Sequence, residues 1–573
     1  MENKEIAKIL EELALLLEIK GENVFKVRAY QNAARTLYSL TEPVRKIIEE
    51  GKLESIKGIG KSLASQIKEM VETGDLKFYR ELKQSVPEGL FEMLKIPGLG
   101  PKKAKVLYEK LGISSIGELE YACVENRLVK LKGFGAKTQD KIIEGIQYIK
   151  KFQGHYLINE AWEQAALLKD WLEENTDDVS IEVAGSLRRF KEIVKDVDIL
   201  AGASDPEDVI KEFVAFPGVS KVTASGNTKA SVILEQGMAA DLRVVSKEQF
   251  PHALQHFTGS KEHNVGLRQL AKKKGLKINE YGVFRNGDQI LCKDEAEIYR
   301  LLNLDYIPPE LREGMGEIEA ASEHRIPKLV ELNDIKGIIH VHTTYSDGKY
   351  SLEDMVKYVK SQGFEYIGIS EHSQTAGYAG GLKPDDLKRQ KDEIEELREK
   401  YPGFGILWGI ESDILPDGSL DYPDEILAQF DFVIGSVHSG FTNDLDKMMQ
   451  RLTTALRNPF LTILGHPTGR LLLGRPSYAV DMKMLIDVAR EEGKVIELNA
   501  NPHRLDIDWR YCPYAKENGV KVCIAPDAHS QEGIHDIYWG VHCARKGWLE
   551  KNDVINCMSL NEILDFFNAK RAS

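Results

Sequence analysis

Nine residues in the last part of the chain are of the types that hold divalent metal ions: His340, His342, Asp347, His372, Glu411, His438, His466, Asp527 and His529. Imidazole and carboxylate together suit borderline ions such as Zn2+ or Mn2+, and nine donors suffice for two or three of them. A clustered site of that kind activates water and neutralises phosphate charge, so phosphoester hydrolysis is the expected chemistry. A second, smaller group lies upstream. Asp196 and Asp198 alternate, so on a strand both carboxylates point to one face, and Asp241 opens another apolar run that can join them. Three carboxylates can hold a pair of Mg2+ ions roughly 3.5–4 Å apart for in-line displacement at phosphorus. Just before them, Gly185-Ser186 offers backbone N–H groups, and Arg189 a guanidinium fork, to a triphosphate.

The elements that must position these groups are legible as patterns. Between residues 336 and 529 seven short apolar runs read as strands, and most deliver a ligand type at or just past their end: Ile338-Ile-His-Val-His342, Tyr366-Ile-Gly-Ile-Ser-Glu-His372, Ile406-Leu-Trp-Gly-Ile-Glu411, Phe432-Val-Ile-Gly-Ser-Val-His438, Thr462-Ile-Leu-Gly-His466 and Val522-Cys-Ile-Ala-Pro-Asp-Ala-His529. His340 and His342, two apart, fall on one face of their strand. A β/α barrel builds its active site at successive strand C-termini. A lone histidine is more often a structural one, and His503, His535 and His542 are assigned that way; repetition over several strands argues otherwise for the rest. From about residue 180, strands at Ile181-Glu-Val-Ala, Asp196-Val-Asp-Ile-Leu, Ser231-Val-Ile-Leu and Asp241-Leu-Arg-Val-Val, with helices at 157–174 and 206–215, predict an α+β module. The stretch near 305–335, with Pro308-Pro309, Gly314, Gly316 and Pro327, reads as a domain connection.

Residues 1–150 are helical by pattern, with Ile6, Ile9, Leu10, Leu13 and Leu17 at three- and four-residue spacing. One short phrase occurs there three times: Ile56-Lys-Gly-Ile-Gly-Lys61, Ile96-Pro-Gly-Leu-Gly-Pro101 and Leu131-Lys-Gly-Phe-Gly-Ala136. Only the turn recurs, which argues for repeated motifs rather than a helical solenoid. A single copy could be a helix C-cap followed by a new helix. Three copies, with Lys61, Lys102, Lys103 and Lys137 just beyond the turns, point to phosphate backbone.

Three resemblances rest on these residues. In order, H-x-H, the Asp five later, S-E-H, the Glu, the later His pair and D-x-H resemble the PHP (polymerase and histidinol phosphatase) family, a distorted β/α barrel with a trinuclear metal site. By that resemblance His340, His342, Glu411 and Asp527 hold one ion, Glu411 with His438 and His466 a second, and Asp347, His372 and His529 a third. The Gly-Ser turn with the three aspartates, continued by Phe257-Thr-Gly-Ser-Lys-Glu-His-Asn264 and Ile278-Asn-Glu-Tyr281, resembles the nucleotidyltransferase palm of the DNA polymerase β family, family X. The resemblance implies that Asp196, Asp198 and Asp241 are catalytic, that Gly185, Ser186 and Arg189 touch the triphosphate, Phe257 and Gly259 the sugar, Asn264 the base, and Arg268 the template side. His256 belongs to the nucleotide-binding set and stands where a tyrosine is common. The Gly turns resemble helix-hairpin-helix motifs, which would put Gly58, Gly60, Gly98, Gly100, Gly133 and Gly135 on DNA. The first lies in a segment resembling the small lyase domain of family X, whose Schiff-base lysine aligns with Gln66. An amide cannot form an imine by amine attack, so little lyase activity is expected unless Lys61 or Lys68 substitutes.

The expected architecture is therefore multidomain: a helical lyase-like DNA-binding domain (1–90), a second helical helix-hairpin-helix subdomain (91–150), a palm (151–245), a thumb-like subdomain (246–315), a linker (316–334) and a PHP metallo-phosphoesterase barrel (335–573). The chain is expected to be a gap-filling DNA-directed DNA polymerase of base-excision repair fused to a metal-dependent 3′-5′ exonuclease, with abasic-site or 3′-end processing as a further activity. Mg2+ or Mn2+ would serve the polymerase site, and up to three Mn2+ or Zn2+ ions the barrel. The partners would be gapped or primed DNA and deoxynucleoside triphosphates. Two other readings stay open: a barrel acting as a small-molecule phosphatase, and an N-terminal half acting as a non-catalytic DNA tether.

Length and charge fit this division. At 573 residues, with 42% hydrophobic and 29% charged, the chain is too long for one core and too apolar for wholesale disorder. The net charge of -14 opposes a nucleic-acid partner at face value. By segment, residues 1–150 carry 26 basic and 22 acidic residues, 151–330 carry 23 and 30, and 331–573 carry 27 and 38, so the first part is net positive. Six cysteines (123, 292, 512, 523, 543, 557) without C-x-x-C argue against a disulfide framework or a zinc ribbon and for a reducing compartment. The densest apolar run, 13–17, is far too short to span a membrane. A cytoplasmic monomer is expected.

Overall fold

Glycine turns punctuate the first 150 residues, and helices fill the intervals. The computed structural model describes residues 1–40, 42–56, 58–96, 98–150 and 154–572; Lys57 and Pro97, inside two of the turns, lie outside that set. The chain folds as two units, Met1–Cys123 with Lys132–Ile149, and Val124–Leu131 with Lys150–Ser573.

In the first unit, α1 (Asn3–Lys20) and α2 (Val24–Ser39) pack on each other through the periodic residues Ile6, Leu10, Leu13 and Leu17, all buried. The three hairpin turns each lead into a helix: α3 (Lys61–Thr73), α4 (Pro101–Leu111) and α5 (Ala136–Lys150). Gly58, Gly98 and Gly133 have φ of +96°, +81° and +93°, a region that side chains disfavour, while Gly60 and Gly100 cap α3 and α4.

The second unit opens on the α+β module. Five strands, β1 (Ser180–Val183), β2 (Asp196–Gly202), β3 (Val219–Ser225), β4 (Lys229–Leu234) and β5 (Ala239–Val245), form a sheet in the order β1-β2-β5-β4-β3. The pair β2 and β5 is parallel and the others antiparallel. Helices α6 (Ile158–Asn175) and α8 (Pro206–Ala215) pack on the sheet, and the short α7 (Gly185–Arg188) follows β1. Then α9 (Phe250–Thr258), α10 (Lys261–Lys273) and a three-stranded meander, β6 (Leu276–Asn279), β7 (Gly282–Arg285) and β8 (Asp288–Ile290), form the thumb region with its own core of Leu267, Ile278, Ile298 and Leu302. The stretch read as a connection alternates exposed residues with buried charged ones, among them Glu310, Arg312 and Glu317. Its prolines and glycines shape turns that carry charged side chains inward to specific partners.

The barrel is a seven-stranded parallel sheet in sequence order: β9 (Gly337–Val341), β10 (Tyr366–His372), β11 (Gly405–Asp413), β12 (Phe432–Ser436), β13 (Ile463–Leu464), β14 (Val495–Asn499) and β15 (Val522–Ala525). A parallel bridge from Val341 to Ala528 joins first to last. The interior is filled by Ile339, Leu407, Phe432, Ile434 and Cys523 with Phe567 of the C-terminal helix. An added Cβ at Gly409 would stand 2.4 Å from the Phe432 ring, so glycine there makes room for the aromatic plug. All six cysteines are free and buried. No helix among the described residues is long and apolar enough to cross a membrane.

Candidate active sites

Parallel pairing of β2 with β5 sets Asp198 directly opposite Asp241, and Asp196 shares the Asp198 face two residues away. Asp198 is raised to about 6 by burial first and then by the charges of Asp196 and Asp241. Like charges so held call for cations between them. Asp241 accepts a hydrogen bond from the Ser231 hydroxyl and lies 3.6 Å from Lys229 Nζ. Gly185 at the start of α7 has φ of +61°, and an added Cβ would stand 2.0 Å from Asp198 Oδ2. Glycine is therefore required where the turn meets the carboxylates, and the partly exposed Ser186 follows it.

The expected nucleotide contacts are variously placed. Arg189 is 9% exposed; its Nε pairs with Glu313 at 3.1 Å and its NH1 donates to the Thr258 carbonyl. Asn264 donates to the His256 carbonyl at 2.7 Å and accepts from Gln255. Contacts from Arg189 and Asn264 to a nucleotide would require both to exchange these partners. His256 and Phe257 end α9, where Phe257 lies beneath the Arg243 guanidinium at 4.9 Å. Gly259 follows with φ of +67°, close to Arg189, and Arg268 is exposed on α10. In the first unit, nothing lies within 4 Å of an added Cβ at Gly60, Gly98, Gly100, Gly133 or Gly135, and at Gly58 only Thr36 Oγ1 does, at an ordinary contact distance of 3.8 Å, so the turns present open backbone. Gln66 on α3 accepts a hydrogen bond from the Tyr30 hydroxyl, and Lys61 and Lys68 on the same helix are exposed.

The nine barrel residues meet in one pocket at the strand C-termini. Glu411 is central: His466 Nε2 lies at 3.0 Å, His438 Nε2 at 3.3 Å, His340 Nε2 at 3.4 Å, His342 Nε2 at 3.7 Å and His372 Nδ1 at 2.8 Å from its oxygens. Asp527 lies 3.4 Å from His340 and 3.2 Å from His342, and Asp347 lies 3.5 Å from His372 and 3.4 Å from His529. Four groups among the described residues bring their ligand atoms within 4.8 Å of one another: His342, Asp347, His372 and His529; His340, His342 and Asp527; His372, Glu411 and His438; and Glu125, Asp527 and His529. This grouping differs in part from the expected partition, since His342, His372, Asp527 and His529 each serve two groups, and His466 meets the set through its Nε2 on Glu411. Simple alternation also fails at His340, where the pairing of β9 with β10 slips and φ is +72°. His466 and Asp527 share the left-handed region, so three of the nine side chains are aimed by costly backbone.

Donor chemistry tests whether metal ions fit. His340 Nε2, both ring nitrogens of His342 and His372, His438 Nε2, His529 Nε2 and single oxygens of Asp347 and Glu411 are buried without a hydrogen-bond partner. That many orphaned lone pairs converging on one space fit divalent ions. Burial, then the neighbouring His529 and His372, pushes His342 down to about 3, leaving a neutral imidazole. Burial opposes charge at His340 too, but Glu497, Asp527 and Glu411 together lift it well above the usual histidine range.

Three supporting residues were not singled out from the sequence. Glu497 on β14 faces His340 Nδ1 at 2.6 Å, and Asp413, two residues past Glu411, faces His438 Nδ1 at 2.6 Å, fixing each ring's orientation. Glu371, in the S-E-H run, accepts from Thr343 and Ser346 and so holds the loop bearing Asp347; burial raises it to about 7. Asp413 continues the alternation of β11, and Glu371 adjoins a ligand, so both left a signal. His503, His535 and His542 bond Asn501, Tyr358 and Glu310.

Comparison with known proteins matches these regions. Family models for a helix-hairpin-helix domain match residues 1–76, for a SAM-like helix-hairpin-helix tandem 91–147, for the DNA polymerase beta thumb 253–313, and for the PHP domain 339–501. A DNA polymerase/3′-5′ exonuclease PolX of Bacillus subtilis is 41% identical over 570 residues, covering 99% of both chains. A probable phosphatase of Caldanaerobacter subterraneus is 30% identical over 207 residues, 33% of this chain and 74% of the relative. DNA polymerase lambda of Rattus norvegicus is 25% identical over 344 residues, 54% of this chain and 56% of the relative. With near-complete coverage at 41% identity, and with the thumb, hairpin and barrel regions matched in order, the chain belongs to the family X DNA polymerases that carry a C-terminal PHP domain.

Proposed function

We propose that the chain extends a primer across short gaps in DNA, using deoxynucleoside triphosphates at the palm, and trims 3′ ends at the barrel pocket. The observation that carries the reading is the coexistence of two separate acidic centres in one chain, the Asp196, Asp198 and Asp241 triad and the nine-residue pocket around Glu411. The open hairpin turns supply contacts to the DNA backbone through Gly58, Gly60, Gly98, Gly100, Gly133 and Gly135. Free, buried cysteines suit a reducing cytoplasm.

Asp196, Asp198 and Asp241 would hold Mg2+ or Mn2+, and the nine barrel residues Mn2+ or Zn2+; these ions supply Lewis-acid stabilisation of phosphate charge and, in the barrel, activation of water. At the palm the chain's own part is to align the primer 3′-hydroxyl with the α-phosphorus. The new O–P bond forms as the bond to pyrophosphate breaks, and Asp241, released from Ser231, takes the hydroxyl proton. Gly185 and Ser186 offer amides to the triphosphate. In the barrel, Glu497 and Asp413 hold His340 and His438 with their distal nitrogens inward, so the pocket is organised before substrate arrives.

A labelled gapped duplex incubated with Mg2+ or Mn2+, with and without nucleotides, tests both halves. Asp198→Ala should abolish lengthening and preserve shortening, and His342→Ala the reverse. Loss of both activities in either variant would count against separate centres. The likeness to a probable phosphatase favours one second reading, a small-molecule phosphomonoesterase barrel. Faster phosphate release from a small monoester than nucleotide release from DNA ends would support it.

A further inference from the structure

One wall of the barrel pocket comes from far outside the barrel. Val124–Leu131 folds with the second unit, its Arg127–Lys130 stretch forming a single 3-10 turn. Lys130 Nζ donates to the carbonyls of Ser346 and Ala379, the neighbours of the ligand Asp347 and of Tyr378. Gly380 accommodates it, since a Cβ there would stand 2.6 Å from Nζ. The turn is thereby pinned to both loops that border the pocket.

The pinning places two charged side chains among the ligands. Glu125 is 1% exposed and groups with Asp527 and His529 as closely as the other ligand sets do. Arg127 Nε pairs with Glu125 at 2.5 Å and lies 4.0 Å from Asp347 Oδ2. Its guanidinium stacks on the Tyr378 ring at 4.9 Å, and that ring lies 6.3 Å from His372 and 6.4 Å from His438. The Glu125 carboxylate and the Tyr378 ring hold the guanidinium between them, beside Asp347. A fork held in that way suits the paired non-bridging oxygens of a phosphodiester, which a flexible ammonium matches poorly.

We propose that Arg127, oriented by Glu125 and Tyr378, binds the phosphate of the substrate in the phosphoesterase pocket, so that the barrel's substrate site is completed by a segment more than two hundred residues upstream. The proposal rests on the reading of the pocket as a phosphoesterase and adds a substrate-binding residue to it. Its consequence is selectivity for phosphodiesters and nucleotide ends that can lie against the 124–131 turn.

The test uses the full-length protein loaded with Mn2+, in wild-type, Arg127→Ala, Arg127→Lys and Glu125→Gln forms. Three quantities are read: kcat and KM on thymidine 5′-(p-nitrophenyl phosphate), the Kd of thymidine 5′-monophosphate by calorimetry, and bound metal by elemental analysis. Arg127→Ala should raise KM and the thymidylate Kd at least tenfold with metal content unchanged, Arg127→Lys should recover little of it, and Glu125→Gln should fall between. Wild-type KM and Kd in Arg127→Ala would overturn the proposal. So would faster turnover, which would make the turn an obstructing lid, or loss of bound metal, which would make it a structural brace. A wild-type protein that hydrolyses neither the diester nor DNA ends would sink the phosphoesterase reading, and the thymidylate Kd ratio would still decide the Arg127 contact.

Discussion

Gly185 carries two constraints at once, a left-handed backbone and a Cβ position already taken by the Asp198 carboxylate. Either alone disfavours a side chain; together they make the turn and the triad one object. Gly185→Ala should therefore displace Asp198 from Asp241 and cut nucleotide incorporation by two orders of magnitude or more, while Mn2+-dependent shortening of DNA ends stays within a factor of two. Primer-extension and end-trimming assays on the same preparation check this. Near-normal extension would mean that the turn yields and the carboxylate does not move. The same logic of forced backbone applies at His340, His466 and Asp527, where the local cost is offset by a pocket whose donors all face inward.

At the scale of elements, charged side chains tie segments distant in sequence. Glu295 receives Arg188 of α7 and Arg312 of the 305–335 stretch, at 2.8 Å and 2.6 Å, in a buried site. Burial alone would raise its carboxyl, but Arg312 and Arg188 together hold it down at about 2. A carboxyl lowered in the folded state contributes stability above its unfolded value near 4.5, and that contribution fades as pH falls toward 2. Glu295→Gln leaves two guanidiniums facing an amide and should destabilise the thumb region by on the order of 3 kcal/mol at pH 7. Urea midpoints measured from pH 7 to pH 3 should show the gap to wild type narrowing below about pH 4.5; a gap constant with pH would assign the loss to packing. This buried network was not legible at 305–335, where proline and glycine mark turns but give no sign of what a neighbouring arginine will meet. Strands with one buried face or two were legible, down to Tyr366–His372, whose observed ends match the expected run. The edge strand β3 was missed because all its residues are at least partly exposed, so it has no apolar periodicity to read. The nine barrel ligands were legible because strand ends repeat them. Glu497 and Arg127 were not, because their meaning lies in contacts with His340 and Asp347 across long stretches of chain.

For the whole molecule, the net charge of -14 conceals an excess of four basic residues in the first 150, where the open hairpin turns lie. Much of the remaining acid belongs to the palm and barrel segments, where some carboxylates line the two candidate metal centres and others, such as Glu295, Glu310 and Glu317, are buried against basic partners. The palm and barrel are also joined inside the second unit. Lys546 belongs to α11 (Ile537–Lys546), which packs against β15 of the barrel, yet its side chain is 1% exposed; it donates to the Arg189 carbonyl at 2.9 Å and pairs with Glu313 at 2.6 Å. Glu313 in turn holds Arg189, the residue proposed for the triphosphate, so a barrel lysine shares a carboxylate with a polymerase arginine. Lys546→Met keeps the length and apolar stem but withdraws a buried charge, leaving Glu313 to Arg189 at 3.1 Å and to the more distant, more exposed Lys191 at 4.0 Å. Arg189 should then be held more tightly by Glu313 and be less available to nucleotide. The expected result is a KM for deoxynucleoside triphosphate raised at least fivefold, with DNA affinity unchanged, from a substitution outside the palm. Steady-state single-nucleotide incorporation, with DNA binding measured separately, checks it. If KM stays at the wild-type value while the protein unfolds at lower temperature, the lysine braces the two domains and plays no part in setting Arg189.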